Sequence, residues 1–109
     1  LLIGNNKTCI AQIQDSSNYL LAKESFEQGF YFFDLDLPDS SIFYFTKASL
    51  LYEKIDAIED YKECYKAIAY NHFTHNEYGL ALTVLDSLLL YIDAKVDSTN
   101  LKHALKAEV

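Results

Sequence analysis

The sequence predicts an all-α fold built from antiparallel helix pairs, and three observations carry that expectation. Apolar residues return at three- and four-residue steps through most of the chain, the period of a helix with one buried face. Only three Gly and one Pro occur in 109 residues, so regular elements are long and tight turns few. Sliding the chain forty places along itself brings residues of like size and polarity together. Half the residues are apolar and 15% are aromatic, enough for one modest core and too much for a disordered polypeptide.

Residues 1–14 read as an N-terminal arm or the remnant of a secretion signal. An apolar start, a short polar spacer and Cys9-Ile10-Ala11 ahead of Gln12 match the end of such a signal. That reading makes the protein periplasmic or exported; a plain arm leaves it cytoplasmic. The absence of Met reads as a processed product or a fragment. From Asp15 onward Tyr19, Ala22, Phe26, Phe30 and Phe33 form one stripe, with Asp15 or Ser16 placed to cap the first free amides. The pattern stops at DLDLPDS, because Pro38 bars helical geometry in the residue before it and favours a new first turn.

A second helix then runs to about Ile55, with Ile42, Phe45, Ala48, Leu51, Tyr52 and Ile55 along one side, so residues 15–55 form the first pair. KIDAIED makes the next corner. The third helix, Ile58 to Phe73, turns Tyr61, Tyr65, Ile68, Ala69 and His72 inward. The fourth, Glu77 to about Ile92, carries Ala81, Leu82, Leu85, Leu88 and Leu89 and completes a second pair over 56–94. A fifth is expected from Ser98, bearing Leu101 and Leu105, so that 95–109 is the first helix of a truncated third unit.

The forty-place overlay sets Gly29 on Ala69, Phe33 on Phe73, Ser41 on Ala81, Ile42 on Leu82, Phe45 on Leu85 and Ala48 on Leu88. Small residues at Gly29, Ser41 and Ala48, twelve and then seven apart, with aromatics between, resemble the tetratricopeptide repeat. Ala69 and Ala81 keep the spacing, while Leu88 replaces the third small residue, and Tyr78, the turn aromatic, has Pro38 as its counterpart. The forty-residue period exceeds that family's usual length, and the extra residues are expected in the links DAIED and DAKVD. The physical need behind the small residues is distance: two helices approach to about 8–10 Å only where the facing side chains allow it. The resemblance covers residues 15–109 and implies a right-handed superhelix of stacked helix pairs, an α–α solenoid.

It also implies a function. In such arrays the first helix of each pair lines a concave groove that holds a peptide or partner segment. Carried onto this sequence, the groove residues are Lys23, Phe26, Phe30 and Phe33, then Glu63, Lys66, Tyr70, Phe73 and Thr74. Lys66 is followed one turn later by Tyr70 rather than Asn, so the family's carboxylate clamp for chaperone tails is not expected. The implied protein is a non-catalytic scaffold, similar to the interaction or sensory segments ahead of output domains in bacterial sensor kinases and regulators. A cytoplasmic peptide-pheromone receptor, built from the same repeats, is an alternative. The aromatic row is either open to a partner or covered by another part of the same protein.

The remaining chemistry is sparse. YNHFTHNEYGLAL places His72, His75 and Glu77 together, and a metal-dependent or hydrolytic enzyme would have to use them. The histidines stand three apart rather than four, without the adjacent glutamate of the zinc-protease helix, so a structural corner is the better reading. No phosphate loop or nucleophile elbow is present, and neither a catalytic residue nor a cofactor is expected. A net charge of −7 and the absence of Arg exclude nucleic-acid binding by this segment. Two isolated cysteines are too few for a disulfide framework, and no apolar run reaches membrane-spanning length.

Overall fold

The computed structural model describes the backbone of residues 2–107 and the side chains of residues 9–100. Within them the chain forms four helices: α1 (Leu2–Asp34), α2 (Pro38–Lys54), α3 (Ile58–Thr74) and α4 (Tyr78–Ala107). No strand occurs among the described residues. Each helix packs on its neighbour in the chain, α1 on α2, α2 on α3 and α3 on α4. The result is one row of antiparallel helices measuring 54 × 34 × 13 Å. At ~1.5 Å per residue the 33-residue α1 accounts for the long axis.

Three turns share one design. Asp36, Asp56 and Asn76 take left-handed φ values of 58°, 58° and 63°. Asp and Asn tolerate that region because their short polar side chains bond locally, so no glycine is needed. In each turn two amides bond back over the end of the preceding helix. Asp36 N–H donates to the Phe33 carbonyl and Leu37 N–H to that of Phe32, both at 3.0 Å. Asp56 with Ala57, and Asn76 with Glu77, repeat this pair of bonds. Left-handed closure of this kind satisfies carbonyls that a helix end otherwise leaves bare. The next helix begins at once: Ser41, Tyr61 and Ala81 each donate an amide to the residue four before, all at 3.0 Å.

The structural period is therefore twenty residues, a seventeen-residue helix and a three-residue turn, seen whole in α2 and α3. Forty is two such steps, and the extra length expected in DAIED and DAKVD resides in the helices. DAKVD itself lies inside α4. No fifth helix starts at Ser98, since α4 continues to Ala107. Twenty residues beyond Asn76 stands Val96, whose β-branched side chain resists positive φ, so no turn forms. Residues 2–14 likewise are not separate from the first helix: α1 begins at Leu2, and neither Asp15 nor Ser16 caps it. The faces of Leu101 and Leu105 lie outside the described side chains.

Ala22, Ala48, Tyr52, Tyr61, Cys64 and Leu88 form the central cluster, linking all four helices. The buried side of α1 runs through Ala22, Ser25 and Gly29, while Tyr19 and Phe30 are 44% and 46% exposed. Expected as inward, those two rings sit at the edge of the stripe because small residues occupy the line of closest helix approach. On α3 the buried line is Tyr61, Cys64, Ile68, Ala69 and Asn71, with Tyr65 and His72 only half-buried. Burial pushes the Cys64 thiol up to about 12, so it packs as a small apolar group. Two side-chain contacts reach across the row: His75 meets Asp36 at 3.1 Å and joins two turns, and Lys95 of α4 meets Asp56 at 3.3 Å.

Candidate functional site

The first hairpin, α1 with α2, is filled. Ser41 Oγ donates to the Gly29 carbonyl at 2.7 Å, so the two small residues meet where the helices cross. A methyl group on Gly29 would lie 2.6 Å from the Phe45 ring, which is wholly buried. Phe26 and Phe30 meet that ring edge-on at 5.3 and 5.0 Å. These two residues, expected among those of the groove, pack on the hairpin interface, Phe26 half-buried and Phe30 still 46% exposed.

Onto this hairpin α3 is seated through two neighbouring residues. Tyr70 stands 5.5 Å from Phe33 of α1, ring centre to ring centre. Asn71 Nδ2 donates to Ser41 Oγ of α2 at 3.0 Å. Asn71 is 1% exposed, and its Oδ1 has no hydrogen-bond partner. One aromatic and one polar contact thus set α3 against both α1 and α2.

The second hairpin, α3 with α4, repeats the framework and leaves it open. A cavity of about 410 Å³ is lined by Lys66, Ala69, Tyr70, Phe73, Tyr78, Ala81, Leu82 and Leu85. Forty places earlier, the residues equivalent to Lys66 and Leu85 are Phe26 and Phe45. A flexible cation and a smaller aliphatic group stand where two rings fill the first hairpin. Ala69 and Ala81, at 5% and 7% exposure, floor the cavity. Its rim continues as an aromatic row, Phe33 to Tyr70 to Phe73 to Tyr78, with centroids 5.5, 6.4 and 5.5 Å apart.

Of the nine groove residues expected from the sequence, Lys66, Tyr70 and Phe73 line the cavity and Phe33 joins its rim. Lys23 is exposed on α1, away from the cavity lining. Glu63 pairs with Lys66 at 2.9 Å, a solvent-exposed ion pair that leaves the ammonium free to move. Thr74 Oγ1 is turned onto the Asn71 carbonyl at 3.0 Å and serves the helix end. Reading only the first helix of each pair missed Tyr78, Leu82 and Leu85. The legible signal was the α4 leucine stripe. Its period reads as packing, yet Leu82, Leu85 and Leu89 are 62%, 37% and 57% exposed, with no further helix over them among the described residues.

His72, His75 and Glu77 occupy the α3–α4 corner. His72 Nδ1 lies 3.3 Å from Glu77 Oε1. His75 turns elsewhere, with Nδ1 2.8 Å from the Asn71 carbonyl and Nε2 3.1 Å from Asp36 Oδ1. These acceptors hold the His75 pKa above its ordinary value, the Asn71 carbonyl contributing most. With both ring nitrogens engaged, His75 ties two turns together. No group of three or more metal-ligating side chains occurs among the described residues. No described helix is long and apolar enough to cross a membrane.

Compared with known proteins, the chain matches no family model, no curated protein and no solved structure.

Proposed function

We propose that the chain is a non-catalytic protein- or peptide-binding scaffold whose hairpins are units of a tetratricopeptide-like array, serving as the interaction segment of a larger signalling or regulatory protein. One observation carries this reading: the open apolar cavity between α3 and α4, at the place where the first hairpin is filled by Phe26 and Phe45. Large apolar side chains in contact with water are common singly, but a contiguous concave set of them marks a recognition surface. Support for the array comes from the forty-residue recurrence and from the Gly29–Ser41 crossing, whose counterpart is Ala69 with Ala81.

The cavity chemistry suits an apolar side chain of a partner, with Lys66 among its lining residues for polar groups beside it. The test is a peptide-display selection on the chain, counter-selected on a Leu82→Asp variant. Leu82 is exposed, so the variant keeps the fold while placing a carboxylate at the cavity mouth. Clones bearing Phe, Tyr, Trp or Leu anchors, lost on the variant, are the expected result. Selected clones that bind both proteins equally would refute the groove.

A further inference from the structure

We propose that the occupant of this groove is an amphipathic α-helix with an aromatic anchor, an apolar residue directly after it and lysine or arginine beside its apolar stripe. The inference rests on the groove reading above and adds the shape and chemistry of the partner. Three features point to it.

First, the molecule contains its own example of the docking. The α1–α2 hairpin receives α3, with Tyr70 set on Phe33 and Asn71 bonded to Ser41. Shifted by forty places, that receiving surface becomes Phe73 and Ala81, both lining the open cavity. An aromatic residue can rest on Phe73 as Tyr70 rests on Phe33. Ala81 offers no hydroxyl, so the residue following the anchor is apolar; an asparagine there would be buried without a partner.

Second, the uncovered face of α4 has the spacing of a helix-docking seam. Leu82, Leu85, Leu89 and Val96 follow this spacing, with Ile92, half-buried against the central cluster, completing the steps of three and four. Leu82, Leu89 and Val96 are each at least half exposed. A second helix meets such a 3–4 stripe along its whole length, whereas an extended peptide advances about 3.3 Å per residue and loses register with it. Third, Asp86 and Asp93 flank the stripe seven residues apart, both exposed and in no ion pair among the described residues. Positions beside a helix seam select the charge of the partner, and these select cations.

The probe is a synthetic 17-residue helix on the α3 sequence, Ile58–Thr74, carrying Asn71→Leu, Glu59→Lys, Asp60→Lys and Glu63→Lys and held helical by a hydrocarbon staple on its solvent face. Fluorescence anisotropy against the full chain reads the affinity. We expect saturable binding, weakened at least tenfold by Leu85→Asp or by Leu82→Asp in the protein, and by Tyr70→Ala in the peptide at unchanged charge. Asp86→Lys with Asp93→Lys should weaken it severalfold and flatten its salt dependence. An unstapled peptide of the same charge with two central prolines should bind at least tenfold less. If the proline peptide binds as tightly and Leu85→Asp weakens both, the groove stands and the helical partner is wrong. If neither peptide responds to Leu82→Asp or Leu85→Asp, both readings fail. Concentration-dependent dimerisation in sedimentation, abolished by Leu85→Asp, would make a second copy the occupant and overturn the proposal.

Discussion

Forty residues apart, Gly29, Ser41 and Phe45 in the first hairpin stand where Ala69, Ala81 and Leu85 stand in the second. The backbone plan is common to both, a left-handed Asp or Asn turn joining two antiparallel helices. In the first, the absence of a Cβ on Gly29 admits the Phe45 ring, and α3 then covers the pair. In the second, Ala69 carries a Cβ, Leu85 is 37% exposed, and Leu82 and Leu89 of α4 are more than half exposed. One framework is thus closed where its ring is supplied internally and left open where it is not.

Removing the equivalent residue from each hairpin, Phe45 or Leu85, should separate the two most strongly. Phe45→Ala deletes a fully buried ring touched by Phe26 and Phe30, and should cost about 3–5 kcal/mol in urea unfolding. Leu85→Ala removes a partly exposed side chain and should cost about 1 kcal/mol or less. Equal losses would mean that the second hairpin is as closed as the first. Gly29→Ala is expected next in size. Its methyl would press on the enclosed ring at a cost of about 1–3 kcal/mol, offset by about 1 kcal/mol of improved helix propensity.

A subtler pair of changes converts the first hairpin toward the second. Ser41→Ala installs the residue found at position 81 and strips the Asn71 amide of its 3.0 Å acceptor. What remains to that amide is a poor 3.4 Å contact with the Ala67 carbonyl. The single change should cost about 1–3 kcal/mol, the penalty for an unmet buried donor. Adding Asn71→Leu should return most of it, because the orphaned Oδ1 disappears together with the amide. A double-mutant cycle by urea denaturation measures the coupling, and strictly additive effects would separate Asn71 from Ser41.

How much of this could be read beforehand depends on the kind of constraint. Pro38 announced the start of α2, and the small residues at 29 and 41 announced a crossing, because sterics acts locally and leaves its mark on residue type. The left-handed turns were equally visible as Asp36, Asp56 and Asn76, twenty apart, once the halved period is sought. Length was not legible. The polar run DSTN after Val96 resembles a helix stop, yet without a residue suited to positive φ at the closing position the helix continues. The site was half legible: Lys66, Tyr70 and Phe73 belong to it, whereas Leu82 and Leu85 looked like core. Periodicity tells which face of a helix is apolar and says nothing of whether another helix lies upon it.

The smallest expected effect compares the two ends of the molecule. Asp36 and Asp56 occupy equivalent turns, and each is met by a cation thirty-nine residues later, His75 in one case and Lys95 in the other. Only the first pair can titrate near neutrality. Once protonated, His75 donates from Nδ1 to the Asn71 carbonyl and from Nε2 to Asp36; neutral, it can make one of those donations but not both. Its folded pKa is raised, chiefly by the Asn71 carbonyl and then by Asp36. The contribution is therefore complete below the unfolded value near 6.5 and fades as pH climbs through the higher folded value. Exposure and screening keep it small, so Tm should decline only slightly over that interval. His75→Lys should flatten this part of the profile by giving Asp36 a permanently charged partner, as Asp56 has in Lys95. A slope unchanged in that variant would assign the pH dependence to another group and leave the Asp36 contact without a role in holding the two hairpins together.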